Sequence, residues 1–302
     1  MGLWKVGRPG DGAAGFTAEI RNPNTRLAYG RAVGRFLEWC QGVGLELAEV
    51  HPRAVAAYVE LLGREMSPAS VKQHLAAIRR LMDYLVTGQA IPHNPASPVR
   101  GPKLVVQQGK SPVLYEEDAR KILTSIPQER VVDLRDQAIL SAMIYSFARV
   151  GAVVQMRVED FYVQGTRAWL VLHEKGGKFL KIPAHHKVAA ALEAYLETAG
   201  IQGEGKAPLF RTARGRSGKL TDRALCRQEV GQMVKRRAKA AGLPTAISCH
   251  SFRATGITNY LANGGTLEVA AQIAGHVSTT TTKLYDRRNE EISRGEIERI
   301  RI

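Results

Sequence analysis

The chain of 302 residues has few cysteines and no long apolar run. Its three cysteines, Cys40, Cys226 and Cys249, lie far apart in the sequence and form no Cys-x-x-Cys pair. No disulfide framework is indicated, which suits a reducing cytoplasm. No apolar stretch approaches the roughly 18–20 residues that a membrane-spanning helix needs. Residues 1–15 are rich in glycine and lack the apolar core of a signal peptide, which argues against secretion.

Acidic residues are outnumbered, with 28 Asp and Glu against 43 Lys and Arg, and the net charge is +15. The excess is not confined to a tail: residues 1–108 carry 13 basic and 8 acidic side chains, and residues 109–302 carry 30 and 20. Such a charge balance favours a polyanionic partner, and nucleic acid is the usual one. Composition alone leaves open a soluble cationic protein without that partner. The hydrophobic share of 44% is enough for buried cores, so the chain as a whole is not disordered.

The periodicity of apolar residues predicts a helical N-terminal region after a flexible leader, residues 1–18. A helix is expected to start near residues 22–25, and a second one to cover residues 52–62. The clearest helix begins at Ser67, a good N-cap residue, with Pro68 in the first helical position. One of its faces is apolar, and the opposite face carries Lys72, Arg79 and Arg80.

A proline-rich segment then divides the chain. Four prolines lie within residues 92–102, so a helix cannot continue through this stretch. We place the domain boundary between Val99 and Ser111, and a long internal loop is the alternative. The expected organisation is a leader (1–18), a helical domain (19–100), a linker (101–111) and a second domain (112–302).

The second domain is predicted to be mainly α with a small β-sheet. A helix over residues 133–147 ends just before Arg149, and two strands follow at 168–172 and 179–183. Between the strands, Lys175-Gly176-Gly177-Lys178 is typical of a hairpin turn, because glycines accept a positive φ. Further helices are expected over residues 186–199, 221–241, 251–262 and 267–274, with a tail helix after Arg287.

Six residues of the second domain could together cleave a phosphodiester without a metal; they are Arg149, Lys175, His250, Arg253, His276 and Tyr285. Guanidinium groups stabilise the added charge on the non-bridging oxygens of the transition state. The phenol of Tyr285 is the candidate nucleophile, and His250 could accept or position its proton. Lys175 could act as general acid toward the leaving oxygen. His276 is expected to hydrogen-bond the phosphate and pack beside it.

Each of these residues also has an ordinary structural explanation, such as an ion pair, a hairpin charge, a helix cap or a partly buried aromatic ring. The order and spacing of the set favour the catalytic interpretation. The set contains Arg149, then a lysine between strands, then the local pattern His250-x-x-Arg253, then Gly275-His276 nine residues before Tyr285.

These motifs resemble those of the tyrosine recombinases, the phage-integrase and Xer-type family. The resemblance rests on Tyr145–Arg149, His173–Lys178, Cys249–Thr255 and Ile273–Tyr285, and in the first domain on Arg35–Trp39 and Asn94–Ala96. It covers roughly residues 20–290. It implies a helical, SAM-like core-binding domain followed by a mixed α/β catalytic domain, acting as dimers and tetramers on inverted DNA half-sites. It also implies strand exchange through a 3′-phosphotyrosyl intermediate, without ATP.

One position departs from the family pattern. The family often places an acidic residue three positions after the first arginine, where this chain has Ala152. Such an acid orients or balances the cations of the site, so the sequence poses the question of what steadies Arg149. Glu159 and Asp160 are the nearest acids downstream.

Basic residues outside this set are candidates for contacts with DNA. Most are expected to bind phosphates, while the first turn of the helix predicted at 221–241 is the candidate for base recognition. A solvated cationic surface is the alternative. The candidates are Lys72, Arg79, Arg80, Arg214, Arg216, Lys219, Arg223, Arg227, Gln228, Lys235 and Arg236. The pairs His173-Glu174 and His185-His186 lack a third ligand at metal spacing, so neither a metal nor another cofactor is expected.

The sequence therefore predicts a cytoplasmic, nucleoid-associated site-specific DNA recombinase or integrase, acting on core sites and serving a mobile element. The leader before Thr25 is too short for a separate arm-binding domain. Two alternatives remain open at this point: a type IB topoisomerase that relaxes supercoils with the same residues, and a non-catalytic DNA-binding regulator on the same scaffold.

Overall fold

The computed structural model describes residues 11–103, 109, 111–174, 177–215, 217–244 and 246–286, with the side chains of residues 11–14 left out. The chain divides into two compact units, Met1–Val105 and Val106–Ile302. The division falls inside the segment that the sequence predicts as a linker. In the described part of the chain, every helix is too short or too polar to cross a lipid bilayer.

The first unit is helical. Its helices are α1 (Asp11–Ala18), α2 (Pro23–Gly42), α3 (Pro52–Glu65) and α4 (Pro68–Thr87), with a short 3-10 turn at Leu47–Glu49. The helix starts follow the capping residues of the sequence. The side chain of Asn22 accepts hydrogen bonds from the backbone of Asn24 and Thr25, and Ser67 accepts one from the backbone of Ser70.

The N-terminal segment differs from the expected flexible leader, because residues 11–18 form a helix. Phe16 is fully buried in the core of the first unit, and its ring contacts that of Tyr84 edge-on at a centroid distance of 6.2 Å. The burial of this one large aromatic side chain favours an ordered helix over a solvated leader. Phe16 is a single large apolar residue in this segment, and one such residue gives no helical periodicity from which α1 could be predicted.

The second unit alternates helices with two small sheets. Its elements are α5 (Glu116–Thr124), α6 (Val131–Tyr145), α7 (Val150–Val154), a 3-10 turn (Val158–Asp160), β1 (Phe161–Gln164), β2 (Arg167–Glu174), β3 (Lys178–Pro183), α8 (His186–Ala199), β4 (Arg211–Ala213), β5 (Leu220–Ala224), α9 (Arg227–Ala240), α10 (Cys249–Ala262), α11 (Leu267–Ile273) and α12 (Thr279–Lys283). Strands β1, β2 and β3 form an antiparallel sheet in that order, and β4 pairs with β5. The predicted hairpin is present, with Glu174 paired to Lys178 and Gly177 at a φ of 76°.

The predicted helix over 221–241 is too long at its N-terminal end. Residues Leu220–Ala224 form β5, and the helix starts only at Arg227. The start is set by Glu229, whose carboxylate accepts a hydrogen bond from the backbone N–H of Cys226 at 2.7 Å. Arg223 therefore lies in a strand and not in the first turn of a helix.

Helix α6 contributes to the core of the second unit, with most of its side chains buried. Two of the buried residues, Asp133 and Asp136, are carboxylates, and Arg237 of α9 binds both, at 2.5 and 2.7 Å. Arg135 adds a second ion pair to Asp136 at 2.8 Å. Buried carboxylates need such partners, so this network ties α9 to α6.

Candidate active site

The structure brings most of the predicted catalytic residues together in the second unit. These are Arg149, His250, Arg253, His276 and Tyr285, and each is linked to another by a contact or an electrostatic effect. They come from the start of α7, the start of α10 and the stretch around α12, which is why residues so far apart in the sequence can meet. Lys175 falls outside the described residues.

Arg253 is the buried centre of the group. Its side chain is only 1% exposed, and its guanidinium donates to the carbonyl oxygens of Phe147 and, at 2.7 Å, Ala274. Burial, and next the charge of Arg149, lower the pKa of Arg253 to about 10, while interactions with the Tyr285 phenol act in the opposite direction. The group therefore stays charged at neutral pH, and backbone carbonyls define its direction.

The backbone beneath Arg253 is unusual in two places. Phe147, which supplies one of the carbonyl acceptors, has a φ of 52°, a left-handed conformation that is costly for a buried aromatic residue. Gly256, one turn after Arg253, lies so close to α6 that a Cβ there would be 2.0 Å from the carbonyl oxygen of Ile144. The close approach of α10 to α6 and the left-handed backbone at Phe147 together position the guanidinium of Arg253.

His276 lies between Arg253 and Tyr285. Its Nε2 is 2.6 Å from Nη2 of Arg253, and its Nδ1 is 2.8 Å from Oγ1 of Thr282. The rings of His276 and Tyr285 are nearly parallel, with centroids 5.9 Å apart. The backbone of Tyr285 is fixed as well, because Thr258 donates to its carbonyl oxygen at 2.7 Å. Both imidazole nitrogens thus have protein partners, where the sequence suggested a bond to a phosphate.

His250 is an exposed side chain in the first turn of α10. Desolvation, followed by the charges of Arg253 and Arg149, lowers its pKa below 6.5. The imidazole is therefore neutral at neutral pH and can accept a proton. The three-residue spacing places His250 and Arg253 on neighbouring positions of one helix, His250 facing outward and Arg253 buried.

Arg149 is bound by an acid that comes from the β-hairpin. Its Nη1 lies 2.5 Å from Oε2 of Glu174, the last residue of β2. The two downstream acids that the sequence pointed to lie elsewhere. Glu159 pairs with Arg157, and Asp160 binds the ring of His173 at 2.8 Å. The sequence patterns above do not identify Glu174 as the partner, although its position directly before Lys175 is a signal that could have indicated it.

The candidate DNA-contacting residues have different surroundings. Nine of the candidates have exposed side chains; they are Lys72, Arg80, Arg214, Lys219, Arg223, Arg227, Gln228, Lys235 and Arg236. Arg216 lies outside the described residues. Several of the exposed cations already have acidic neighbours: Arg80 pairs with Glu19, and Arg223 with Glu229.

Arg79 is not on an open basic face. It is half-buried and donates to the backbone carbonyls of Val99 and, at 3.2 Å, Ala96. Asn94 completes this contact by donating to the carbonyl oxygen of Arg79 at 3.0 Å. The structure thus gives Arg79 the role of binding the proline-rich segment to α4, a long-range contact that helical periodicity does not reveal.

Among the residues that the structure describes, no group of His, Cys, Asp and Glu is arranged to bind a metal ion. His185 instead caps α8 by accepting from the backbone of Lys187, and its ring stacks on Tyr145 at 4.4 Å. His173 is bound by Asp160, as described above.

Comparison with known proteins identifies the family of both units. The model of the phage integrase family matches residues 112–291, and the model of the phage integrase N-terminal SAM-like domain matches residues 17–89. The chain is 28% identical to the tyrosine recombinase XerC of Pelobacter propionicus, covering 87% of this chain and 84% of that protein. It is 28% identical to the tyrosine recombinase XerD of Listeria monocytogenes, covering 87% of each.

Solved structures share the fold. A lambda integrase tetramer bound to a Holliday junction aligns with a TM-score of 0.69 at 18% identity, covering 95% of this chain and 78% of that one. The XerH recombinase in a pre-cleavage complex with its difH substrate aligns with a TM-score of 0.65 at 18% identity, covering 91% and 78%.

The helical first unit, the mixed α/β second unit and the matching families define a two-domain tyrosine recombinase, an enzyme that cuts and rejoins DNA. The chain belongs to the phage integrase family.

Proposed function

We propose that this protein is a site-specific DNA recombinase that cuts and rejoins strands through a 3′-phosphotyrosyl intermediate on Tyr285. The observation that carries the proposal is the chain of contacts from the Tyr285 ring to His276, and from His276 to the buried guanidinium of Arg253. A phenol beside two cationic groups and a neutral imidazole has what a phosphodiester attack requires.

Arg253 and Arg149 bind the non-bridging oxygens of the scissile phosphate. Arg253 is oriented by two carbonyls and His276, so little reorganisation is needed when charge develops on the phosphate oxygens. Both guanidiniums can donate from several N–H groups.

In the cleavage step, the Tyr285 oxygen forms a bond to phosphorus and its proton passes to His250. The bond from phosphorus to the 5′ oxygen breaks, and that oxygen takes a proton from Lys175. The products are a 3′-phosphotyrosyl linkage and a free 5′-hydroxyl. In the second step, the 5′-hydroxyl of the exchanged strand attacks the linkage, and each proton returns. Since the covalent linkage conserves the bond energy, neither ATP nor a metal is required.

The partner is double-stranded DNA with inverted core half-sites. The exposed basic residues of both units bind phosphates, and Arg227 and Gln228 in the first turn of α9 are the candidates for base contacts. The aliphatic part of Arg227 lies near Gly151 of α7, close in sequence to Arg149, so α9 reaches the neighbourhood of the reacting phosphate. Solved relatives with this fold include a lambda integrase dimer on a core site and a tetramer on a Holliday junction, which supports dimers and tetramers here.

The enzyme works in the cytoplasm on the nucleoid, and it serves a mobile element. An element-borne role predicts matching repeats at the ends of the DNA segment that carries the gene.

A nicked suicide substrate tests the proposed reaction. DNA sites are first selected from a random pool by binding to the protein. Duplexes with these sites are then made with a nick next to each possible cleavage position. After cleavage, the short fragment that carries the 5′-hydroxyl diffuses away, and the covalent adduct is trapped. The wild-type protein is expected to form the adduct, and Tyr285→Phe is expected to bind the same duplex and form none. Binding without any wild-type adduct would support a non-catalytic regulator, and relaxation of plasmids that lack the selected site would support a topoisomerase.

A further inference from the structure

We propose that Glu174 is the positioning residue of Arg149, supplying from the β-hairpin the carboxylate that position 152 of this chain lacks. The proposal rests on the recombinase function proposed above and names a further residue on which that reaction depends. It assigns Glu174 no direct contact with DNA.

The first observation is the ion pair itself. Oε2 of Glu174 lies 2.5 Å from Nη1 of Arg149. The Glu174 side chain is 8% exposed, whereas that of Arg149 is 37% exposed. A carboxylate withdrawn from solvent therefore binds the guanidinium through Nη1, while the Arg149 side chain as a whole stays partly exposed. Such a charged bond is screened less than a surface ion pair.

The second observation concerns Ala152 and Gly275. Ala152, on the next turn of the chain after Arg149, is buried and has no polar group to offer. Gly275 lies beside the same side chain, since a Cβ there would be 3.6 Å from Cγ of Glu174 and 3.8 Å from its Oε1, both ordinary van der Waals distances. The Glu174 side chain therefore lies next to the backbone that leads into His276.

The third observation is an unused acceptor. Oε1 of Glu174 is buried and has no hydrogen-bond partner among the described residues. A buried carboxylate oxygen without a donor is costly, so the group is kept for a purpose other than the stability of the free protein. We assign that purpose to the charge balance of the site.

Glu174 offsets part of the positive charge of Arg149 and Arg253. Arg149 lowers the pKa of Arg253, and Glu174 acts in the opposite direction. The same acid that forms the ion pair with Arg149 thus also stabilises the charge of Arg253. The two cations repel each other, and Arg149 is the less buried of the pair. Glu174 opposes the displacement of Arg149 toward solvent before DNA binds, and leaves the remaining N–H donors of the guanidinium free for the phosphate.

The ion pair also connects two parts of the catalytic machinery. Glu174 ends β2 and directly precedes Lys175, and its backbone is paired to Lys178 across the hairpin. Binding of Glu174 to Arg149 thus ties the base of the hairpin to the start of α7. The prediction is that Glu174 affects the cleavage step and leaves DNA affinity nearly unchanged.

Three substitutions at position 174 test this, with Glu159→Ala as a matched control because Glu159 also pairs with an arginine but lies on an exposed edge. Single-turnover cleavage of a suicide duplex and DNA affinity are measured for Glu174→Asp, Glu174→Gln and Glu174→Ala, together with the unfolding temperature. We expect cleavage by Glu174→Ala and Glu174→Gln to fall roughly 100-fold, with affinity changed less than about threefold. Glu174→Asp, which keeps the charge, is expected to retain at least about tenfold more activity than Glu174→Gln. The control should cleave like the wild type.

A transplanted acid gives a second readout that a merely structural role would not produce. Ala152→Asp or Ala152→Glu in the Glu174→Ala background should recover at least part of the lost cleavage rate. If position 152 does not tolerate an acid and these proteins unfold, the difference in cleavage rate between Glu174→Asp and Glu174→Gln still tests the proposal.

Faster cleavage by Glu174→Ala than by the wild type would overturn the proposal, since Glu174 would then be a competitor that occupies the phosphate position. Equal cleavage by all three variants would overturn it as well. Absence of any wild-type adduct would instead contradict the proposed function, so the two failures are distinguishable.

Discussion

The guanidinium of Arg253 donates to Nε2 of His276 at 2.6 Å, and this bond determines the protonation state of the imidazole. A guanidinium can only donate, so Nε2 carries no hydrogen. Nδ1 then carries the hydrogen and donates to Oγ1 of Thr282 at 2.8 Å. Burial, together with the charges of Arg253 and Arg149, lowers the pKa of His276 to about 4. His276 is therefore a neutral acceptor that orients Arg253 and packs beside the nucleophile.

The lowered pKa of His276 predicts how stability depends on pH. Because the pKa falls from 6.5 to about 4 on folding, the unfolded chain binds more protons within that window. The contribution of His276 to stability is complete above pH 6.5 and is lost as the pH falls toward about 4. His276→Gln should lose less stability over this window than the wild type, as measured by urea unfolding at stepped pH. Parallel pH profiles for the two proteins would contradict the assigned neutral state.

The contact between α10 and α6 at Gly256 predicts a strong effect of one added methyl group. Gly256→Ala places a Cβ 2.0 Å from a backbone oxygen and 2.8 Å from the Phe147 ring, neither of which is the free end of a flexible chain. We expect a loss of about 1–3 kcal/mol in the free energy of unfolding, and slower cleavage, because the helix that carries Arg253 must shift. Gly231→Ala is the control, since α9 has open space there, and it should stabilise by about 0.5–1 kcal/mol. Similar results for the two variants would contradict the account.

The buried carboxylates of α6 predict that Arg237 is required for folding stability. Arg237→Met leaves Asp133 and Asp136 without their shared partner, and we expect a loss of about 3–5 kcal/mol in urea unfolding. The control is Arg120→Met, which breaks an exposed pair with Glu116 and should change stability by less than about 0.5 kcal/mol. A similar loss of unfolding free energy in both variants would contradict the stabilising role of the buried ion pairs.

The contrast between Lys72 and Arg79 predicts two different phenotypes from one basic helix. Lys72 is exposed, so Lys72→Ala should weaken DNA binding and reduce the slope of log affinity against log salt by about 1, with stability unchanged. Arg79→Ala leaves two backbone carbonyls without their donor and should cost the first unit about 1–3 kcal/mol of stability. The reverse pattern would mean that Arg79, and not Lys72, contacts the phosphates.

Local signals in the sequence predicted the features that depend on neighbouring residues. Ser67 and Pro68 defined the start of α4, and Gly177 defined the turn between β2 and β3. The spacing of His250 and Arg253 likewise needed only one helical turn. The order of the six catalytic residues was recognised from the family resemblance, because the periodicity of apolar residues gives no information about it.

Features that depend on distant partners were not predictable in this way. The pairing of β4 with β5 joins strands of three and five residues, too short for an alternating pattern to stand out. The bond of Glu174 to Arg149 spans 25 positions, and that of Arg79 to Val99 spans 20. Such contacts arise from the packing of whole elements, which sequence spacing does not encode.

The most direct test of the account identifies the amino acid that becomes joined to DNA. Wild-type adduct trapped on a nicked duplex is digested with trypsin and nuclease, and the modified peptide is sequenced by mass spectrometry. We expect a phosphonucleotide on Tyr285, in the peptide that follows Lys283. A nucleotide attached to any other residue, or an adduct that persists in Tyr285→Phe, would contradict it.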